Sequence, residues 1–148
     1  MREELKTSVI DEARRLGFDA ARVTTPDALG PAAERLGEFL RDGRHGDMDW
    51  MAAHEARRAD PKALWPDVRS IVMLGMSYAP DRDPLEALQD NTRAAISVYA
   101  QGKDYHDIIK AKLKQLARIL TDADAQARVF VDTAPLMEKP LAQAAGIG

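Results

Sequence analysis

The sequence predicts an α+β domain of about four strands flanked by helices. Two observations carry that class. Strand-length apolar runs, at residues 18–24, 70–78, 95–100 and 129–131, alternate with segments of helical period. The chain of 148 residues, 45% of them hydrophobic, also has the size of one ordinary domain able to bury a core. No repeat, low-complexity tract or shift in composition divides it.

Leu5, Val9, Ile10, Ala13 and Leu16 recur at helical spacing, with Gly17 at a natural C′ position, so residues 2–16 form an amphipathic helix. After the strand at 18–24, the stretch from Asp27 to Pro31 breaks the chain. Ala33, Leu36, Phe39 and Leu40 then carry a second helix toward Asp42 and Gly43. A glycine-containing loop leads to a helical turn around Trp50 and Met51. Residues 54–66 read as a structured connector, because Pro61 and Pro66 bias the residues before them away from helix.

Residues 70–78 form a continuous apolar run that suits a central strand covered on both faces, with Gly75 marking a bulge or a close backbone approach. Residues 79–92 are polar and proline-rich, an exposed excursion. Past the strand at 95–100 and the break at Gly102 comes the clearest helix. Its stripe is Ile108, Ile109, Leu113, Leu116 and Leu120, and Lys103, Lys110, Lys112, Lys114 and Arg118 spread over the rest. Val129, Phe130 and Val131 suit a buried strand ending at Asp132, before Pro135 opens a last helix. The apolar Leu141, Ala144, Ala145 and Ile147 of that helix are expected to face a partner outside these residues, which would leave the tail frayed or held by self-association.

The 21 basic and 24 acidic residues give a net charge of -3, which argues against a globally basic nucleic-acid binder but leaves room for a local basic groove. With zero Cys, these residues carry no disulfide, no thiol nucleophile and no cysteine-ligated zinc or iron–sulfur cluster. His45 and His54 have no partners at ligand spacing, so no protein-bound metal is expected. The N-terminus is charged and amphipathic, and no run approaches ~18 apolar residues, so a cytoplasmic protein without membrane association is expected.

Three clusters stand in order: Arg58-Ala59-Asp60-Pro61; Tyr99-Ala100-Gln101-Gly102-Lys103-Asp104-Tyr105-His106; and Val131-Asp132-Thr133-Ala134-Pro135 with Glu138-Lys139-Pro140-Leu141-Ala142. Together with HGDMDWM at 45–51 and the run at 70–78, they make nearly the whole chain resemble the N-terminal, cobalamin-binding part of epoxyqueuosine reductase. The resemblance implies a mixed, mainly antiparallel sheet. It also implies a cytoplasmic, monomeric oxidoreductase of queuosine biosynthesis and tRNA processing, which reduces the epoxide of epoxyqueuosine in a tRNA anticodon loop to an alkene. Cobalamin would be the cofactor of this part. Two 4Fe-4S clusters would be held by cysteine motifs of a C-terminal half. Residues 1–148 are then expected to be a single domain of a longer reductase, inactive alone.

The resemblance makes Asp132 the proton donor. Opening an epoxide needs protonation of the leaving oxygen, and a carboxyl in an apolar setting can hold its proton near neutrality. The competing reading is that Asp132 or Thr133 caps the helix near Pro135. Arg58, Ser97, Tyr99, Asp104, Tyr105, His106 and Lys139 match cofactor-site positions. Guanidinium at Arg58 suits phosphate or amide oxygens, though a solvated arginine beside Arg57 is the alternative. Asp104 is also a good N-cap for the following helix. Lys139 stands where relatives often carry arginine, and a solvated helix lysine is equally consistent.

Val98 departs from the arginine many members place between the flanking serine and tyrosine, which removes one ligand contact. The lysine-rich face of the helix after Gly102 fits a solvated surface better than a tRNA backbone track. Two other readings remain: an inactive cofactor- or tRNA-binding module, and a scaffold domain that has lost the cofactor, for which Val98 is the sequence support.

Overall fold

The computed structural model describes residues 1–148. Helix α1 (Glu3–Arg15) has Glu3 and Glu4 in its first turn and Arg14 and Arg15 in its last, charges that complement the helix dipole. Gly17 follows at φ 84°, a conformation that a glycine adopts without strain. Strand β1 (Ala20–Thr24) pairs antiparallel with β2 (Ile71–Gly75), in a register that sets Ala20 opposite Gly75 and Thr24 opposite Ile71. The pairing is unbroken, so Gly75 marks a close approach and not a bulge. A Cβ there would meet Ala20 at 3.4 Å and Ile147 at 3.9 Å.

Between the strands run a 3-10 turn (Pro26–Leu29) and helices α2 (Pro31–Arg41), α3 (Asp49–Ala53), α4 (Glu55–Ala59) and α5 (Pro61–Leu64). Asp60 and Trp65, each preceding a proline, are extended. The Asp60 carboxylate accepts the Lys62 amide at 2.8 Å and so caps α5, while the Lys62 ammonium pairs with Asp27 at 2.6 Å. After β2 come 3-10 turns at Pro84–Gln89 and Val98–Ala100, then α6 (Tyr105–Asp122) and α7 (Glu138–Ala144). No helix is long and apolar enough to cross a membrane.

Val9 and Ala13 of α1, Phe18, Ala21 of β1 and Leu116 of α6 form the buried cluster, with Val72, Leu74, Ile109, Leu113 and Leu120 packed against it. Helix α7 lies against both strands and the 26–29 turn. The small sheet is therefore sandwiched between α1 with α6 on one side and α7 on the other. Ile108 is 41% exposed. It leads Ile109 by one residue, about 100° around the helix, and falls off the stripe.

The α+β class holds, but the sheet has two strands, not four. Residues 95–100 are exposed apart from Val98 and form no ladder; residues 129–131 are half-buried and also unpaired. An apolar, β-branched run reports burial, and it becomes a strand only where a neighbour accepts its N–H and C=O groups. Strand β2 has β1 on one edge alone and stays half-buried throughout, so it is not a central strand covered on both faces. Helix α7 starts at Glu138, three residues after Pro135. Leu141 is 1% exposed, docked into this chain's own interior, and Ile147 lies against Gly75, so of the four tail residues only Ala144 is exposed.

Candidate active site around Asp132

Asp132 lies in the loop joining α6 to α7 with φ 52°, a left-handed conformation that non-glycine residues seldom adopt. Two contacts hold it. The Tyr105 hydroxyl donates to Asp132 Oδ2 at 2.6 Å, and the Asp132 backbone N–H donates to Glu138 Oε1 at 3.2 Å. Asp132 does not cap α7: the N-cap position is Met137, which provides no side-chain bond, and Thr133 makes none either.

Tyr105 is brought there by the start of α6. Asp104 is the N-cap, its carboxylate accepting the His106 amide at 2.8 Å, so the sequence expectation of a cap is met. The same oxygen stands 2.8 Å from His106 Nδ1. The Tyr105 and His106 rings stack with centroids 4.1 Å apart, and Tyr99 meets Tyr105 edge-on at 6.4 Å. Tyr99, Asp104, Tyr105, His106 and Asp132 are thus brought together, at a 3-10-to-helix turn and not at a strand end.

The electrostatics follow from these contacts. The Tyr105 phenol is pushed up to about 12, first because Asp132 accepts its proton-bearing bond, then through desolvation and the Asp132 charge. The Asp104 carboxyl is held below its ordinary value by the His106 backbone amide and then by the imidazole. Glu138 is raised, chiefly by burial and next by the Asp132 charge, with the Asp132 amide opposing.

Tyr105, Asp132 and Glu138 line an apolar cavity of ≈ 720 Å³ between β2, α6 and the 125–132 stretch, where Val72, Leu113 and Phe130 supply apolar wall. Arg58 lies elsewhere, in a second cavity of ≈ 500 Å³ with Arg35, Phe39, Met51 and Met137. Its guanidinium sits 4.8 Å over the Trp50 ring, and its Nε is buried without a partner. The loop and first turn from Asp132 to Pro140 run between the two cavities, since Asp132 and Glu138 face one while Met137 and Pro140 face the other. Ser97 and Lys139 are exposed, and no hydrogen bond or ion pair ties their side chains to the Asp132 cluster. Lys110, Lys114 and Arg118 are exposed on α6 and Lys103 just before it, while the Lys112 ammonium lies 5.9 Å over the Phe18 ring.

Sequence reasoning missed two residues. Trp50, which covers Arg58, reads in sequence only as part of a helical turn. Glu138 stands in the last motif without a role of its own, because a bond to an amide six residues upstream follows no local sequence rule.

The epoxyqueuosine reductase QueG, DUF1730 family matches residues 58–133. The chain is 38% identical over 149 residues to an epoxyqueuosine reductase of Aliivibrio fischeri, covering 99% of this chain and 40% of that protein. It is 42% identical over 140 residues to one of Gloeobacter violaceus, covering 92% of this chain and 42% of that protein. The crystal structure of a selenomethionine-labeled epoxyqueuosine reductase superposes with a TM-score of 0.77 at 27% identity, over 98% of this chain and 39% of that one. The chain therefore spans about 40% of the length of these relatives.

Proposed function

Because this chain belongs to the epoxyqueuosine reductase QueG, DUF1730 family, we propose that residues 1–148 are the cobalamin-binding, N-terminal domain of an enzyme that reduces the epoxide of epoxyqueuosine in tRNA. The observation that carries the reading is the Tyr105–Asp132 pair at 2.6 Å on the rim of the apolar cavity. It sets one carboxyl group where a substrate oxygen can approach while an aromatic hydroxyl fixes its direction.

The donor set fits a large, amide-fringed cofactor. Arg58 offers an unsatisfied, buried N–H, and Ser97, Tyr99 and His106 offer accessible polar edges. Arg58, Ser97, Tyr99, Asp104, Tyr105, His106 and Lys139 would hold cobalamin, and Lys139 would be a candidate to meet a phosphate of cofactor or tRNA. When bound, cobalamin supplies the electron-rich metal that acts on an epoxide carbon. The donor set does not fit an iron–sulfur cluster, since the chain has no cysteine, so electrons must reach the site from outside these residues. Reduction of an epoxide to an alkene takes up two electrons and two protons and releases water. Asp132 delivers a proton to the epoxide oxygen as the carbon–oxygen bond breaks. Tyr105 keeps the carboxyl aimed, while Asp132 itself is exposed at the cavity rim, open to a substrate oxygen.

The test is an absorbance titration of cob(II)alamin with the chain. A saturable spectral shift at micromolar protein is expected, and Asp132→Asn is expected to keep that shift while the full-length reductase carrying it loses turnover. No shift would overturn the cofactor reading and leave a scaffold domain. Undiminished turnover in Asp132→Asn would remove Asp132 as the proton donor.

A further inference from the structure

Asp132 adopts a left-handed backbone, φ 52°, which aspartate reaches more readily than most L-residues but seldom without a local contact to hold it. The tie on the backbone is the carboxylate of Glu138, which accepts the Asp132 N–H at 3.2 Å across the turn formed by residues 133–137. That turn contains Pro135, whose ring limits how it can fold. Glu138 is also the first residue of α7, and α7 is anchored three residues later by the buried Leu141. Interior packing of α7 thus reaches Asp132 through one side chain. A carboxylate in a first helical turn is common for dipole reasons. The dipole does not explain why this one leaves solvent, lines the cavity with Tyr105 and Asp132, and takes up an amide six residues upstream.

We propose that Glu138 is a positioning residue for Asp132: its carboxylate clamps the Asp132 backbone so that the Asp132 side chain stays on the Tyr105 hydroxyl and presents its free edge to the substrate oxygen. The proposal rests on Asp132 being the proton donor only for its catalytic consequence; the clamp is a property of this chain. The partial burial of Glu138 and its raised proton affinity accord with the clamp, since it is desolvated beside a second carboxylate.

The clamp is tested on the 148-residue chain without cofactor. Differencing against Tyr105→Phe isolates the Tyr105 phenol from Tyr78 and Tyr99, and in the wild-type chain it is expected to titrate at about 12. In Glu138→Ala, the phenol is expected to fall toward its ordinary 10.0 because Asp132 is released. Glu138→Gln keeps a carbonyl oxygen as acceptor and is expected to leave the phenol high. A role for Glu138 in stability alone would lower the melting temperature of Glu138→Ala without moving the Tyr105 titration, and that result would overturn the proposal.

Should Glu138→Ala not fold, the wild-type chain decides. The Asp132 amide proton resonance is expected to follow the titration of the Glu138 carboxyl carbon, and an Asp132 amide indifferent to it would overturn the clamp. In the full-length reductase, Glu138→Ala is expected to lower kcat by about 10²-fold, the scale of an ångström-level misplacement, with KM little changed and Glu138→Gln restoring most of it. If the phenol and amide respond while turnover does not, the clamp stands and the proton-donor role of Asp132 falls.

Discussion

At the level of single residues, two opposite pH effects meet at the start of α6. Asp104 is held below its ordinary pKa by the His106 amide and imidazole. Its contribution to stability is present above the unfolded value of 3.8 and is lost as pH falls through the lower folded value. Tyr105 is raised, so its contribution is complete below 10.0 and is lost as pH climbs through about 12. The expected result is that Asp104→Ala melts about 2–4 °C lower than wild type at neutral pH, the scale of one lost cap in a domain of this size. The gap should narrow as pH falls from 3.8 through the lower folded value, whereas Asp104→Asn, which keeps an acceptor oxygen but no charge, should melt between the two at neutral pH and differ from Asp104→Ala by an amount that does not change over this pH range. Melting curves across pH by circular dichroism check this. Asp104 was legible in the sequence because capping is local, decided by residues two apart. The partnership of Asp132 with Tyr105 was not, because 27 residues separate them and only the return of the chain after α6 brings them together.

Among the elements, legibility followed the same division. Helices α1 and α6 were readable because their stripes are internal to the segment; Val9, Ala13 and Leu116 are buried where their spacing put them. Strands depend on a neighbour. Residues 129–131 have the composition of a strand and the burial of one, yet pair with nothing. Residues 95–100 have the composition alone. Helix α7 reverses an expectation in a useful way, since its apolar face is already occupied by this chain's own strands and 26–29 turn. Leu141→Ala is therefore expected to cost about 2–5 kcal/mol in urea denaturation, as for other fully buried leucines, whereas Ala144→Ser on the exposed side should stay within about 0.5 kcal/mol. Equal, small effects at both positions would mean that α7 is not docked. Because α7 begins with Glu138, loosening it by Leu141→Ala should also release the Asp132 amide.

Over the whole molecule, surface area shows how much of the interior is closed. A compact monomer of 16.3 kDa would expose about 7,500 Å², but this chain exposes 10407 Å². The excess, roughly 2,900 Å² against that scaling, has visible sources. One is the apolar cavity beside Asp132. Another is the run from residue 78 to 100, where Tyr78, Leu85, Leu88, Ile96 and Tyr99 all stand exposed. Large hydrophobic side chains exposed together along one segment are more than solitary folded monomers usually show. This exposure accords with the proposal that these residues are one domain of a longer protein whose remainder, or whose cofactor, covers part of it. The composition gave no sign of this, because 45% hydrophobic is ordinary and says nothing about which apolar side chains find partners. The consequence is measurable on the native chain: it should bind the apolar dye anilinonaphthalene sulfonate at neutral pH while keeping its near-ultraviolet circular dichroism, so that dye binding reports an open groove and not a molten state. Adding cobalamin should lower the dye fluorescence if the cofactor occupies the groove next to Asp132. Dye binding that cobalamin leaves unchanged would place the exposed surface at residues 78–100, and absence of dye binding would mean that both regions are closed in solution.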